Sequence, residues 1–324
     1  MTATIQPAEW LRHIDREYLS TYIRGGGTAI KFAVPMEDGL RADLFAGLAA
    51  IGNRAGYLAV NINAAETKVH MVDELFFRTA EQIPWTKLSR MAIAKIAAEA
   101  GYSWADNGDE PLYGRLAEEN RLEPQLLLIE MKQAIWKKVF KQRNLSKDFR
   151  VAMTHLCIAE LTGGPDGATA IQALTDWLTG RNRAVSAVKP FQIFRKINRA
   201  TGRHFYESLA NWVRFAGYPG MVILLDAQRV TLARNPRDNG LFYSKAAVMD
   251  SYEVLRQFID AADRLNGCLL TVVPDIAFLE AETHGRGIGA YAALKFRVFD
   301  EVRDKRLVNP MASLARISAS ERGV

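Results

Sequence analysis

Ala29-Ile30-Lys31-Phe32-Ala33-Val34, then Pro35-Met36-Glu37-Asp38-Gly39-Leu40-Arg41-Ala42, then Asp43-Leu44-Phe45-Ala46-Gly47-Leu48-Ala49-Ala50-Ile51: this run carries the reading of the fold. It reads as an apolar strand, a turn and a helix. A second short β-rich run, Tyr57-Leu58-Ala59-Val60-Asn61-Ile62, follows the helix over 40–54. Strand, helix and strand within about 35 residues make a βαβ unit, with parallel strands and a right-handed crossover. The turn at 35–42 occupies the slot where a phosphate-binding loop sits. A working loop of that kind reads G-x-x-x-x-G-K-[ST], with glycines to wrap the phosphates, a lysine to neutralise them and a hydroxyl for magnesium.

On that frame Pro35 stands at the first glycine, Leu40 at the second, Arg41 at the lysine and Ala42 at the hydroxyl. Proline offers no N–H, and the Leu40 Cβ resists the left-handed backbone a phosphate cradle needs. Glu37 and Asp38 add negative charge where an anion belongs, and Ala42 has no hydroxyl for a metal. Only Arg41 keeps a positive charge. The competing reading is a strand-to-helix turn that never held phosphate. Both predict weak or absent ATP binding.

Far downstream, Met221-Val222-Ile223-Leu224-Leu225-Asp226 is a buried strand ending in a carboxylate, as a magnesium-binding strand would. Hydrolysing enzymes of this kind place a glutamate next, to orient water. Here the next residue is Ala227. Asp226 is therefore vestigial at most, and capping or ion pairing at a strand end is preferred to metal binding. Gly39, Arg41, Asp226 and Thr271 make up the candidate vestigial nucleotide site. Thr271 and Asp275 are expected to flank the end of the strand Cys268–Val273, where capping is the preferred role.

The remaining chain fits one α/β core interrupted by helices. Residues 8–23 are expected to be an amphipathic helix, broken by Gly25-Gly26-Gly27. From 69 to 216 the pattern is helical, with segments at 69–80, 85–100, 124–142, 148–161, 168–178, 190–200 and 204–215. A link at 107–114 and a Gly-rich break at 163–167 divide them. Helices at 246–265 and 288–302 flank the strand 268–273. The sequence thus predicts a discontinuous P-loop-like α/β core, 1–68 with 217–324, and a helical subdomain, 69–216.

Composition excludes several classes. Of 324 residues 49% are apolar and 24% charged, as expected of a chain that buries a core. Cys157 and Cys268 lie far apart in apolar runs and read as buried thiols, with neither metal nor disulfide spacing. No signal peptide and no membrane span is expected, and a cytoplasmic location fits. His13, His70, His155, His204 and His284 show no metal-site spacing. The net charge of +6 permits contact with nucleic acid. Two basic stretches could supply it: Lys132, Lys137, Lys138, Lys141, Arg143, Lys147 and Arg150, and Arg181, Arg183, Lys189, Arg195, Lys196, Arg199 and Arg203. Within them Lys137, Lys138, Lys141, Arg195, Lys196 and Arg199 are the candidate contacts. Solvated helix faces are the competing reading, with Phe191 and Phe194 as core residues. Arg286 could project from a subunit edge towards a neighbour's phosphate; a loop arginine is the alternative.

Dispersed runs resemble one family. They include Glu9-Trp10-Leu11, Arg16-Glu17-Tyr18-Leu19, Tyr22-Ile23, Gly26–Phe32, Asn63–Met71, Trp212–Gly220, Tyr252–Asp260, Arg286–Leu294 and Asn309-Pro310. Together they are similar to the BREX-system ATP-binding proteins of the BrxD type, over about 8–315. The resemblance implies an AAA-like P-loop ATPase core and a place in a bacterial antiphage system, encoded with helicases, methyltransferases and other ATPases. The chain departs from that pattern at both nucleotide motifs. The expectation is a non-hydrolysing, pseudo-ATPase subunit that scaffolds or regulates a partner ATPase, helicase or methyltransferase, in a hetero- or homo-oligomer. No cofactor is expected. The alternatives are an ATP-binding switch or active ATPase using ATP and Mg2+, and a DNA-binding module on a P-loop scaffold.

Overall fold

The computed structural model describes residues 4–104, 112–279, 285–299 and 309–319. The chain forms two compact units, Met1–Thr79 with Tyr218–Val324, and Ala80–Gly217.

The first unit is built on a parallel sheet of five strands: β1 Thr28–Pro35, β2 Leu58–Asn63, β3 Met221–Ala227, β4 Cys268–Pro274 and β5 Leu314–Ile317. Their spatial order is β2-β3-β4-β1-β5. All eight residues of β1 and all seven of β4 are buried, as expected where both sheet faces are covered. One face carries α1 (Pro7–His13), its continuation Ile14–Ile23, and α2 (Leu40–Arg54). Leu40, Leu44, Leu48 and Ile51 recur at helical spacing along α2 and join Ala33, Val222, Leu269 and Val273 in one core. On the other face Phe32 stacks on Phe278 at 5.5 Å, and Tyr252 of α10 (Lys245–Asp260) meets Phe278 edge-on.

The mixed α/β class with a parallel sheet agrees with the sequence. Several element boundaries do not. The helix predicted over 8–23 turns into a wider π-helical form from Ile14. The helix predicted over 246–265 ends at Asp260, and the one over 288–302 is α11, Ala292–Val298; residues 300–308 lie outside the described residues. β5 has no counterpart in the prediction. It is four residues long, too short for a period-2 pattern, and it forms because Phe32 to Pro35 offer β1's free edge to it in register. Its own outer edge is covered in turn: Ile5 and Arg316 share a 2.9 Å backbone bond, and Ser318 donates to the Ile5 carbonyl.

Lys31 sits inside this sheet, 4% exposed. Its ammonium donates to the carbonyls of Met311 and Ala312 at 2.6 and 2.9 Å and lies 4.2 Å from the Tyr18 ring centre. Burial pushes its pKa down to about 8 from 10.5. The unfolded chain therefore holds this proton between pH 8 and 10.5 where the folded chain releases it. The penalty is complete below pH 8 and is relieved as pH rises through this window. At about 1.4 kcal/mol per pH unit the gain is at most about 3 kcal/mol, and the two carbonyls and the ring reduce it. Between pH 7.5 and 10 the melting temperature of the wild type should rise relative to that of Lys31→Met. Parallel profiles would refute the assignment.

The second unit is helical: α4 Trp85–Glu99, α5 Leu112–Asn120, α6 Pro124–Ile135, α7 Lys147–Thr162, α8 Gly164–Leu178 and α9 Gly202–Phe215, after α3 Val72–Ala80, which ends at the boundary. α7 is buried on nearly all sides, from Phe149 to Leu161. The expected link at 107–114 is helical from Leu112; its part over 107–111 lies outside the described residues. The glycine-rich break at 163–167 is confined to Gly163, because Gly164, Pro165 and Gly167 already belong to the start of α8, where proline is tolerated. No helix forms over 190–200. A short 3₁₀ turn, Lys189–Phe191, ends at Gln192, whose φ of 63° is left-handed, and no regular element follows until α9.

Candidate functional site

β1 leads through α2 to β2 on one side, whereas the connection after β4 leads to β5 on the other. Right-handed crossovers place these connections on opposite faces. The carboxyl ends of β1 and β4 therefore form the switch point where ligands bind in open α/β sheets. The loop 36–39, the start of α2, Asp226 and the last residues of β4 all lie at this edge.

The structure fills the crevice with the chain's own arginine. Arg41 Nη1 donates to Asp226 Oδ1 at 2.9 Å and to the Val273 carbonyl at 2.7 Å. Nη2 donates to the Pro274 carbonyl at 2.8 Å. Both Nη1 protons are thus committed within the fold. The two side chains are 15% and 22% exposed. A guanidinium suits this role because its planar fork reaches several acceptors at once, where an ammonium acts as a point charge. The same Oδ1 of Asp226 also accepts the Gln228 N–H at 3.0 Å. Ala227 is buried, and Gln228–Thr231 turns away as a 3₁₀ helix.

The loop itself is tied to the end of β5. Met36 donates to the Ile317 carbonyl at 2.8 Å; Glu37 accepts from Ser318 Oγ at 2.7 Å and from the Ala319 N–H at 3.2 Å. No residue of 35–42 has a positive φ, and Gly39, at −67°, is the right-handed N-cap of α2. The alternating right- and left-handed backbone that makes an anion-binding nest is absent from this stretch.

Thr271 falls elsewhere than expected. β4 runs on to Pro274, so Thr271 lies mid-strand, in register with Lys31 and Leu224. It is fully buried, and its hydroxyl has no partner among the described residues. Asp275 accepts the Ala277 N–H and caps the turn Ile276–Leu279. Arg286 donates to the Tyr243 carbonyl at 2.8 Å and lies over the Phe242 ring, while its own carbonyl accepts from Tyr252. It is docked within its own chain. His284 lies outside the described residues.

The two basic stretches differ. Lys137, Lys138 and Lys141 are exposed, Lys138 pairs with Glu99 at 2.6 Å, and Leu126, Ile129 and Trp136, earlier in the same helical stretch, are exposed as well. Arg195, Lys196 and Arg199 are exposed on irregular backbone rather than on a helix. Phe194, read as a core candidate, is 62% exposed. The expectation of a helix placed it inward; the kink at Gln192 removes the register on which that reading rested.

Sequence reasoning missed the acceptors that complete the crevice, the Val273 and Pro274 carbonyls, and the Glu37–Ser318 tie. Among the described residues no three His, Cys, Asp or Glu side chains gather as a metal site, and no helix is long and apolar enough to cross a membrane. Both cysteines are buried and free, and burial raises their thiol pKa values.

A model of the family described as BREX system ATP-binding protein BrxC/D matches residues 115–321. The match takes in β3, Asp226, β4 and β5; β1, the loop 35–42 and α2 precede it. No curated protein and no solved structure matches the chain significantly.

Proposed function

Because the chain belongs to the BREX system ATP-binding protein BrxC/D family, we propose that it is an ATPase-like subunit of a phage-defence system whose nucleotide crevice is closed by its own Arg41. It works without hydrolysis, as a scaffold or regulator for other components of the same system. The family implies such partners, and the exposed Leu126, Ile129 and Trp136 support a role in holding them.

The observation that carries this reading is the Arg41 contact set. A triphosphate lying along 35–42 would have to displace three guanidinium hydrogen bonds. It would gain no phosphate nest in return, no hydroxyl from Ala42 for Mg2+ and no water-orienting carboxylate from Ala227. Glu37 and Asp38 would oppose its charge. The residues present therefore do not fit Mg2+ and ATP. The sheet order, with β4 between the loop-bearing β1 and the aspartate-bearing β3, supports the P-loop ancestry of the core.

Equilibrium titration with labelled Mg·ATP tests the reading. No saturable binding is expected below about 1 mM, a free energy weaker than about −4 kcal/mol. Micromolar binding that disappears in Arg41→Ala would establish the nucleotide-switch alternative instead.

A further inference from the structure

We propose that the segment 189–203 is a binding site for single-stranded nucleic acid, with Phe194 as the surface on which a base stacks. This inference is independent of the Arg41 crevice.

Three observations meet here. From Arg181 to Arg203 the chain carries seven Lys or Arg residues and no carboxylate; the two at the ends, Arg181 and Arg203, pair with Asp176 and Glu207 just outside the run. The backbone over 192–201 is irregular yet anchored: Val188 and Ile193 are fully buried and Ile197 is 6% exposed. The Asn198 side chain accepts the N–H groups of Ala200 and Thr201 and fixes the turn that follows. Between the two buried isoleucines, Phe194, Arg195 and Lys196 are held out into solvent, with the ring 62% exposed. A large apolar ring in that position carries an unfavourable hydration cost in water, relieved when a flat partner covers it. Lys189 is exposed beside them.

The chemistry favours one ligand. Nucleic acid supplies repeated phosphates for the cations and, when single-stranded, a free base face for the ring. Duplex DNA hides its base faces, and this segment has no helix with which to enter a major groove. An acidic polypeptide would satisfy the cations but offers the ring no regular planar partner.

The test is fluorescence anisotropy of the full chain with labelled 20-mers of dT, rU and duplex DNA, at 50 and 200 mM salt, with poly-glutamate as competitor. Single strands should bind more tightly than duplex and resist poly-glutamate at equal charge. Phe194→Ala should weaken single-strand binding roughly tenfold, while Phe194→Tyr should bind as the wild type. Losing two phosphate contacts in Arg195→Ala/Lys196→Ala should lower the salt slope by about 1.4. The dT and rU arms decide between DNA and RNA, and tighter binding of either supports the site. Because these side chains are exposed, unchanged melting curves should accompany the affinity losses. Absence of binding, preference for duplex, equal displacement by poly-glutamate, or an unchanged affinity in Phe194→Ala would each overturn the proposal.

Discussion

Gly220→Ala is expected to destabilise the first unit by about 2–6 kcal/mol. Gly220 has φ = +155°, and a Cβ there would clash with the carbonyl oxygen of Gly267. The close approach belongs to the sheet's amino edge. Met221 donates to the Gly267 carbonyl at 2.9 Å, Leu58 donates to the Gly220 carbonyl, and Gly267 donates to Gly26. A side chain at 220 must either break this chain of bonds or push β3 from β4. Backbone strain at such a φ costs about 1–3 kcal/mol, and forced overpacking adds about 1–3 kcal/mol. Gly39 is the control: it has nothing within 4 Å of its added Cβ and an ordinary φ. Gly39→Ala should be neutral or stabilising by up to about 1 kcal/mol. Urea midpoints at constant m give both values. A loss below about 1 kcal/mol in Gly220→Ala would show that the edge relaxes freely.

The second large effect concerns the pair Arg41 and Asp226. Fully buried pairs cost about 3–5 kcal/mol when one partner is removed, and exposed pairs about 0.2–1 kcal/mol. With side chains 15% and 22% exposed, this pair falls between, and Asp226→Ala should cost about 2–3 kcal/mol. It strands the guanidinium and also removes the acceptor of the Gln228 N–H. Arg41→Ala should cost about 2 kcal/mol, leaving two carbonyls and a carboxylate to water. In a double-mutant cycle the losses should fall short of additivity by about 1–2 kcal/mol. Additivity within about 0.3 kcal/mol would mean that the two residues act separately and that Arg41 does not close the crevice.

What the sequence disclosed, and what it concealed, follows from range. The strands β1, β3 and β4 are predominantly apolar runs, and α2 announces itself through Leu40, Leu44, Leu48 and Ile51. The deficits of the loop are equally local: Pro35, Leu40 and Ala42 lack the needed chemistry whatever surrounds them. The bond that closes the crevice joins residues 185 positions apart, and no local pattern encodes it. Strand order is hidden for the same reason, since the segment between β2 and β3 carries no pairing information. Over 190–200 the sequence predicts a helix, but Ile193 and Ile197 are buried anchors of a non-helical chain. Thr271 misled because the strand continues through its final residue, Pro274, a position where proline would usually mark the end.

The position of β1 between β4 and β5 sets the order of events at the ribosome. β1 is finished once Pro35 is made, but its partners, Cys268–Pro274 and Leu314–Ile317, come more than 200 residues later. At about 5–20 residues per second, this strongly apolar strand emerges and waits about 10–50 s with both edges unpaired. The contiguous Ala80–Gly217 unit meanwhile has all its residues in hand. An unpaired apolar strand of this kind is prone to aggregation while it waits. A ribosome stalled before residue 268 would display a folded helical unit behind a strand still open to aggregation.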